Sequence, residues 1–165
     1  MKEVFDIAAR TALIGVGATA VLDLWLQALK KAGVPTQNFA MLGRWIGHWR
    51  NRQWYHQAIA KASPVQGEAW MGWLAHYVIG VGFSALMVSV FGNAWAASPT
   101  LAPAVMFGMV TVTAPLLVLQ PALGAGVASS KTNAPLRNSF KSLVNHTVFG
   151  IGLYLAATAI DTVGG

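Results

Sequence analysis

Four apolar runs dominate the chain, at residues 11–29, 69–91, 101–126 and 143–160, and each is long enough to cross a hydrocarbon core of about 30 Å as a helix. A backbone in lipid must satisfy its own polar groups within the segment, so runs of this kind specify an all-α protein. They fill most of the 165 residues and leave one polytopic membrane domain, 1–165, with no room for a separate soluble one. Only 10% of the residues are charged, against roughly a quarter in a soluble domain. The first run is not a signal peptide by its pattern. Its flank carries Glu3 and Asp6, and it continues past the small-residue string Gly17-Ala18-Thr19-Ala20 to Leu29. The absence of cysteine removes disulfides, thiolate metal sites and thiol catalysis.

The net charge of +6 is distributed as a membrane topology would distribute it. Lys30, Lys31, Arg44, Arg50, Arg52 and Lys61 lie between runs one and two, and Lys131, Arg137 and Lys141 between three and four; the other side holds only Lys2 and Arg10. The positive-inside rule therefore expects both basic loops in the cytoplasm and both termini outside, and accounts for the charge without nucleic acid. Within residues 36–62, Asn38 is an expected N-cap. Leu42, Trp45, Ile46 and Trp49 follow at helical spacing, with Arg44, His48 and Arg52 on another face. This pattern predicts an amphipathic helix lying in the bilayer interface, supported by Trp54, Trp70 and Trp73 as an aromatic belt.

Runs two and four contain nearly the same string, from His76 to Gly82 and from His146 to Gly152, sharing a histidine, a valine and two glycines. Val21-Leu22-Asp23 and Val118-Leu119-Gln120 match more weakly in runs one and three. The expectation is a four-helix bundle of two pseudo-symmetric hairpins. Asp23, His76, Gln120 and His146 then fall at similar depth, roughly 5 to 10 Å inside the cytoplasmic boundary at about 1.5 Å per residue. Rows rich in small residues four apart (Thr11, Gly15, Thr19, Asp23; Glu68, Gly72, His76, Gly80; Ser142, His146, Gly150, Tyr154) should turn these groups inward. Pro103, Pro115 and Pro121 interrupt run three and free backbone carbonyls there.

Ionisable groups inside a membrane are costly enough to be functional candidates. The preferred reading is a small transporter or proton-coupled membrane factor, in which Asp23 exchanges a proton, the histidines shuttle it or hold a small solute, and Glu68 stands at the cytoplasmic mouth. A second reading is a non-catalytic scaffold or subunit, its polar residues bonding helix to helix. A third is a metal or haem site on His76 and His146, with Asp23 as a further metal ligand. No nucleophile with a base at convincing spacing marks the chain as an enzyme. The glycine-rich faces equally permit a homo-oligomer.

The strings GATAVLDLW from Gly17, GRWIGHW from Gly43, WLAHYVIG from Trp73, QPALGAG from Gln120 and NHTVFGIGLYL from Asn145, in that order, resemble a family of small four-span bacterial inner-membrane proteins known as a domain of unknown function. The resemblance implies a bacterial cytoplasmic-membrane location and the four-helix fold. It brings no activity and no site residues with it.

Overall fold

In the computed structural model, residues 2–164 are described, with side chains from 5 to 162. They form seven α-helices: α1 (Lys2–Lys31), α2 (Phe39–His48), α3 (Glu68–Phe91), α4 (Asn93–Ala97), α5 (Leu101–Thr111), α6 (Gln120–Leu123) and α7 (Pro135–Gly164). Short 3-10 turns and one π-helical turn, Pro115–Leu119, complete the chain, and no strand occurs among the described residues. Four stretches are long and apolar enough to cross a membrane: Phe5–Lys31, Glu68–Phe91, Leu101–Leu123 and Pro135–Thr162.

Their ends differ from the hydropathy limits for local reasons. The third stops three residues early because Gly124 takes a left-handed φ of 96° and caps α6. The fourth helix begins eight residues early, at Pro135, whose fixed φ suits a first helical position. Arg137, Asn138 and Lys141 then occupy its first turns, polar residues that a hydropathy window omits although they are good enough helix formers. In the third span Pro115 has no N–H to donate, and the ladder widens into the π turn that ends against Gln120.

The chain divides into two compact units, one from 1–35, 77–110 and 145–165, the other from 36–76 and 111–144. The first draws on all four spans. Its core joins Ile14 and Ala18 of α1, Met87 of α3, Ala104 and Phe107 of α5, and Phe149, Leu153 and Ala157 of α7. The inward rows of small residues are realised here as close crossings. A Cβ on Gly15 would lie 2.6 Å from Val81 Cα, and one on Gly108 would meet the α7 backbone at His146 and Gly150. Glycine at such points lets helices approach without a hydrophobic drive between them. Outside these seams the spans present bare apolar surface such as Leu13, Leu24, Val78, Leu86 and Val110. Only 22–33% of each apolar window is buried, which leaves the remainder for lipid.

The second unit holds α2, the loop after it, the first turns of α3 and the chain from 111 to 144. α2 starts at its expected cap, with Asn38 Oδ1 accepting from Ala40 N–H at 3.0 Å. It docks on α3 through glycine at both sides of the contact: a Cβ on Gly43 would strike Glu68 and Gly72, and one on Gly72 would strike Phe39.

Arg44 and His48 share a face of α2, but a buried one: each is only 8% exposed, and Arg52 lies beyond the helix in a left-handed turn at φ 57°. The physical reason is partners: Glu68 and the loop carbonyls take up the Arg44 guanidinium, and His56 and Ser63 take up the His48 ring. Trp45 and Trp49 keep half-buried positions, edge to face at 4.7 Å, and Trp54, Trp70 and Trp73 are exposed as a belt would be.

Candidate functional site

The four intramembrane polar residues are divided between the units, Asp23 and His146 in the first, His76 and Gln120 in the second. Asp23 lies on the half-buried side of α1, four residues beyond Thr19, and its Oδ2 accepts from the Tyr77 hydroxyl at 2.8 Å. Two residues on, Trp25 Nε1 donates to Asn145 Oδ1 at 3.0 Å, beside His146. The His146 ring faces the edge of Phe83 at 6.2 Å between centroids. In this unit, then, span one makes polar bonds to spans two and four at neighbouring levels, and a carboxylate takes part in one of them.

In the second unit the His76 ring stacks on Phe39 at 4.1 Å and 26°, with Trp73 edge-on at 5.9 Å. The matching histidine strings therefore place their rings in different surroundings. Gln120, at the end of the π turn, donates through Nε2 to Ser142 Oγ at 3.2 Å and accepts at Oε1 from Ser129 Oγ at 3.0 Å. Ser129 and Ala128 both sit at positive φ, 60° and 48°, conformations that cost free energy and persist when neighbours over-determine them. The bonds of Ser129 to Gln120 and of Ser139 to the Ala128 carbonyl do so.

Glu68, expected at the mouth of the site, is held by a clamp. Arg44 Nε and Nη2 donate to its two oxygens at 2.8 and 2.7 Å, a bidentate pair, and Val65 N–H donates at 2.9 Å. Arg44 Nη1 is left to the carbonyls of Ile59, Ala60 and Ala62 at 3.1–3.4 Å, the end of the 3-10 turn Ile59–Lys61. The Glu68 carboxylate in turn raises the Arg44 guanidinium above its ordinary range, so the pair stays charged.

A pair of histidines that spacing alone did not reveal lies beside this clamp. His48 Nε2 lies 3.0 Å from the Ser63 carbonyl, which only accepts, so that nitrogen carries hydrogen. In the neutral ring His48 Nδ1 is then the acceptor for His56 Nε2–H at 2.7 Å. His56 Nδ1 remains as a buried lone pair with no partner among the described atoms. Burial, and then the His48 ring, lower the His56 pKa. The His56 backbone N–H donates to Ala122 O at 2.9 Å, and Gly124 packs beneath the carbonyls of His56 and Gln57. No periodicity links residues 48 and 56 because the chain between them is a loop; the only signal was the second histidine itself. Tyr77 and Asn145 carry no signal in the sequence for another reason. Each is the immediate neighbour of an intramembrane histidine, and one helical step of about 100° turns it to another side of the helix.

Among the described residues, no group of three or more His, Asp or Glu side chains lies close enough to share a metal ion.

Four apolar helices of spanning length, lipid-ready outer faces and polar bonds within the spans define the class: a multi-pass helical membrane protein. Within it the chain belongs to the family described as Protein of unknown function (DUF2938), whose profile matches residues 12–160. Comparisons with curated proteins and with solved structures gave no match.

Proposed function

We propose that the protein is a small proton-coupled membrane factor of the bacterial inner membrane, in which Asp23 takes up and releases the proton. The observation that carries this reading is the Asp23–Tyr77 bond: a carboxylate in an apolar span, accepting from a phenol at 2.8 Å. Protonation of Asp23 removes a charge that is costly in the membrane, and it weakens Oδ2 as an acceptor for Tyr77. The Tyr77 hydroxyl is then released to change partner, and spans one and two feel the occupancy of the carboxyl. The basic loops after spans one and three support a cytoplasmic placement for both, with the termini outside. His76 and His146, at matching positions of a duplicated hairpin, are the further proton or solute groups of this reading. Gln120 and Glu68 take positioning roles, since Ser129, Ser142 and Arg44 occupy them.

Those last bonds also favour a second reading, a non-catalytic scaffold whose polar residues only join helices. Proteoliposomes with an internal pH dye separate the two. Under an imposed pH gradient the wild type should acidify or alkalise the lumen faster than empty vesicles. Asp23→Asn should remove that flux and Tyr77→Phe should slow it, both with unchanged yield of monodisperse protein. A wild type that moves no protons across a range of ionic conditions sinks the first reading. Loss of folded protein in Asp23→Asn, with no separate loss of flux, establishes the second.

A further inference from the structure

The loop after α2 carries an open cavity of about 400 Å³ lined by Gln53, Tyr55, His56, Gln57, Lys61 and the adjoining alanines. We infer that this cavity binds a phosphate group, as the headgroup of an anionic phospholipid. The inference rests on the second unit alone and is independent of the proton-coupled reading.

The lining carries one sign of charge. Two carboxamides, a phenol and an ammonium can donate hydrogen bonds beside the His56 ring, and no carboxylate lines the space. None stands anywhere in the chain between Asp23 and Glu68. The two ion pairs among the described residues are Arg10–Asp161 and Arg44–Glu68, so Lys61 has no carboxylate partner among them. An oxyanion is the ligand such a set selects, and a charged donor adds most of the attraction.

The cavity is also held open by structure rather than left to a loose loop. Arg44, fixed by Glu68, gathers the carbonyls of the turn that bears Lys61. His48 holds Ser63 and His56, and His56 N–H and Gly124 tie the opposite wall to the end of the third span. The clamp thus consumes one cation internally and presents another. A lipid source follows from the surroundings: Trp54 and Tyr55 beside the cavity are 49% and 74% exposed, and Trp70 is exposed two residues into α3. Indole and phenol rings in such numbers mark the level of headgroups, where lipid phosphates lie.

The test uses the full chain in a neutral detergent, with native mass spectrometry and thermal melts as readouts. Probes are short-chain phosphatidylglycerol, diacylglycerol and inorganic phosphate, and variants are Lys61→Gln and Lys31→Gln. The second variant removes the same charge from an exposed lysine outside the cavity. Phosphatidylglycerol should bind the wild type, and Lys61→Gln should weaken it roughly tenfold or more, the effect of losing one charged hydrogen bond. Lys31→Gln should bind as the wild type does, and diacylglycerol should not bind. Competition by millimolar inorganic phosphate would keep the phosphate site and make free phosphate its occupant. Equal weakening in both variants, or no difference between phosphatidylglycerol and diacylglycerol, overturns the inference. Unliganded melting temperatures check that both variants are folded.

Discussion

Gly15→Ala tests the seam between α1 and α3, on which the bundle in the first unit depends. The added methyl would lie 2.6 Å from Val81 Cα, 2.9 Å from Gly80 O and 3.0 Å from Val81 N, where ordinary contact begins near 3.4 Å. All three are backbone atoms of the facing helix, so no side chain can rotate away. The helices must part locally by about 0.8 Å, a gap that forfeits roughly a quarter to a half of the dispersion energy along the seam. Overpacking of this kind costs up to about 3 kcal/mol, and replacing a mid-helix glycine returns about 1 kcal/mol, leaving a net loss of about 2 kcal/mol. Gly82→Ala is the matched control, because a methyl there meets nothing within 4 Å. It should be neutral or slightly stabilising. Reversible unfolding in mixed micelles, with helicity and tryptophan fluorescence as probes, should show the folded-to-unfolded ratio of Gly15→Ala reduced roughly 30-fold against wild type. If Gly15→Ala proves as stable as Gly82→Ala, the helices do not approach here as described and the reasoning fails.

The Arg44–Glu68 clamp predicts a pattern of non-additivity: Arg44→Met or Glu68→Leu alone should lower the melting temperature more than the two together, because each single change strands a partly buried charge. A double variant less stable than either single variant would argue against the pair. The histidine pair predicts a pH dependence. His56 binds its proton at a lower pH in the folded protein than in the unfolded chain, so stability is full above about pH 6.5 and falls as pH drops below it. His48 and the Ala122 carbonyl are the groups that face it. His56→Asn should flatten that slope between pH 6.5 and 5 in thermal melts, and an unchanged slope would remove His56 as its source.

The helical class, the number of spans and the seams were legible in the amino-acid order because each is a one-dimensional property. Run length against bilayer thickness decides the spans, and glycine spacing at four residues decides which faces can meet. Asn38 as a cap and the crossings at Gly15, Gly80 and Gly150 followed from local rules, while Gly108, which meets Gly150, lay in none of the rows. The candidate site was half legible: Asp23 stood out by its cost in lipid, but its partner Tyr77 did not, since nothing in a string of letters says which of two adjacent residues faces a neighbour.

What tertiary structure alone decided is the fate of the charges. Arg44 and His48 read as the polar face of an interfacial helix, and Glu68 as the mouth of a site, when only their own helix is considered. The fold brings Glu68 to Arg44 from 24 positions away, and His56 and Ser63 to His48 from 8 and 15. The same contacts build the cavity around Lys61 from a loop with no periodicity. Burial of a charge is affordable only where its counter-charge and carbonyl partners arrive with it. That arrival depends on how chain segments dock, which the order of residues within any one of them does not contain.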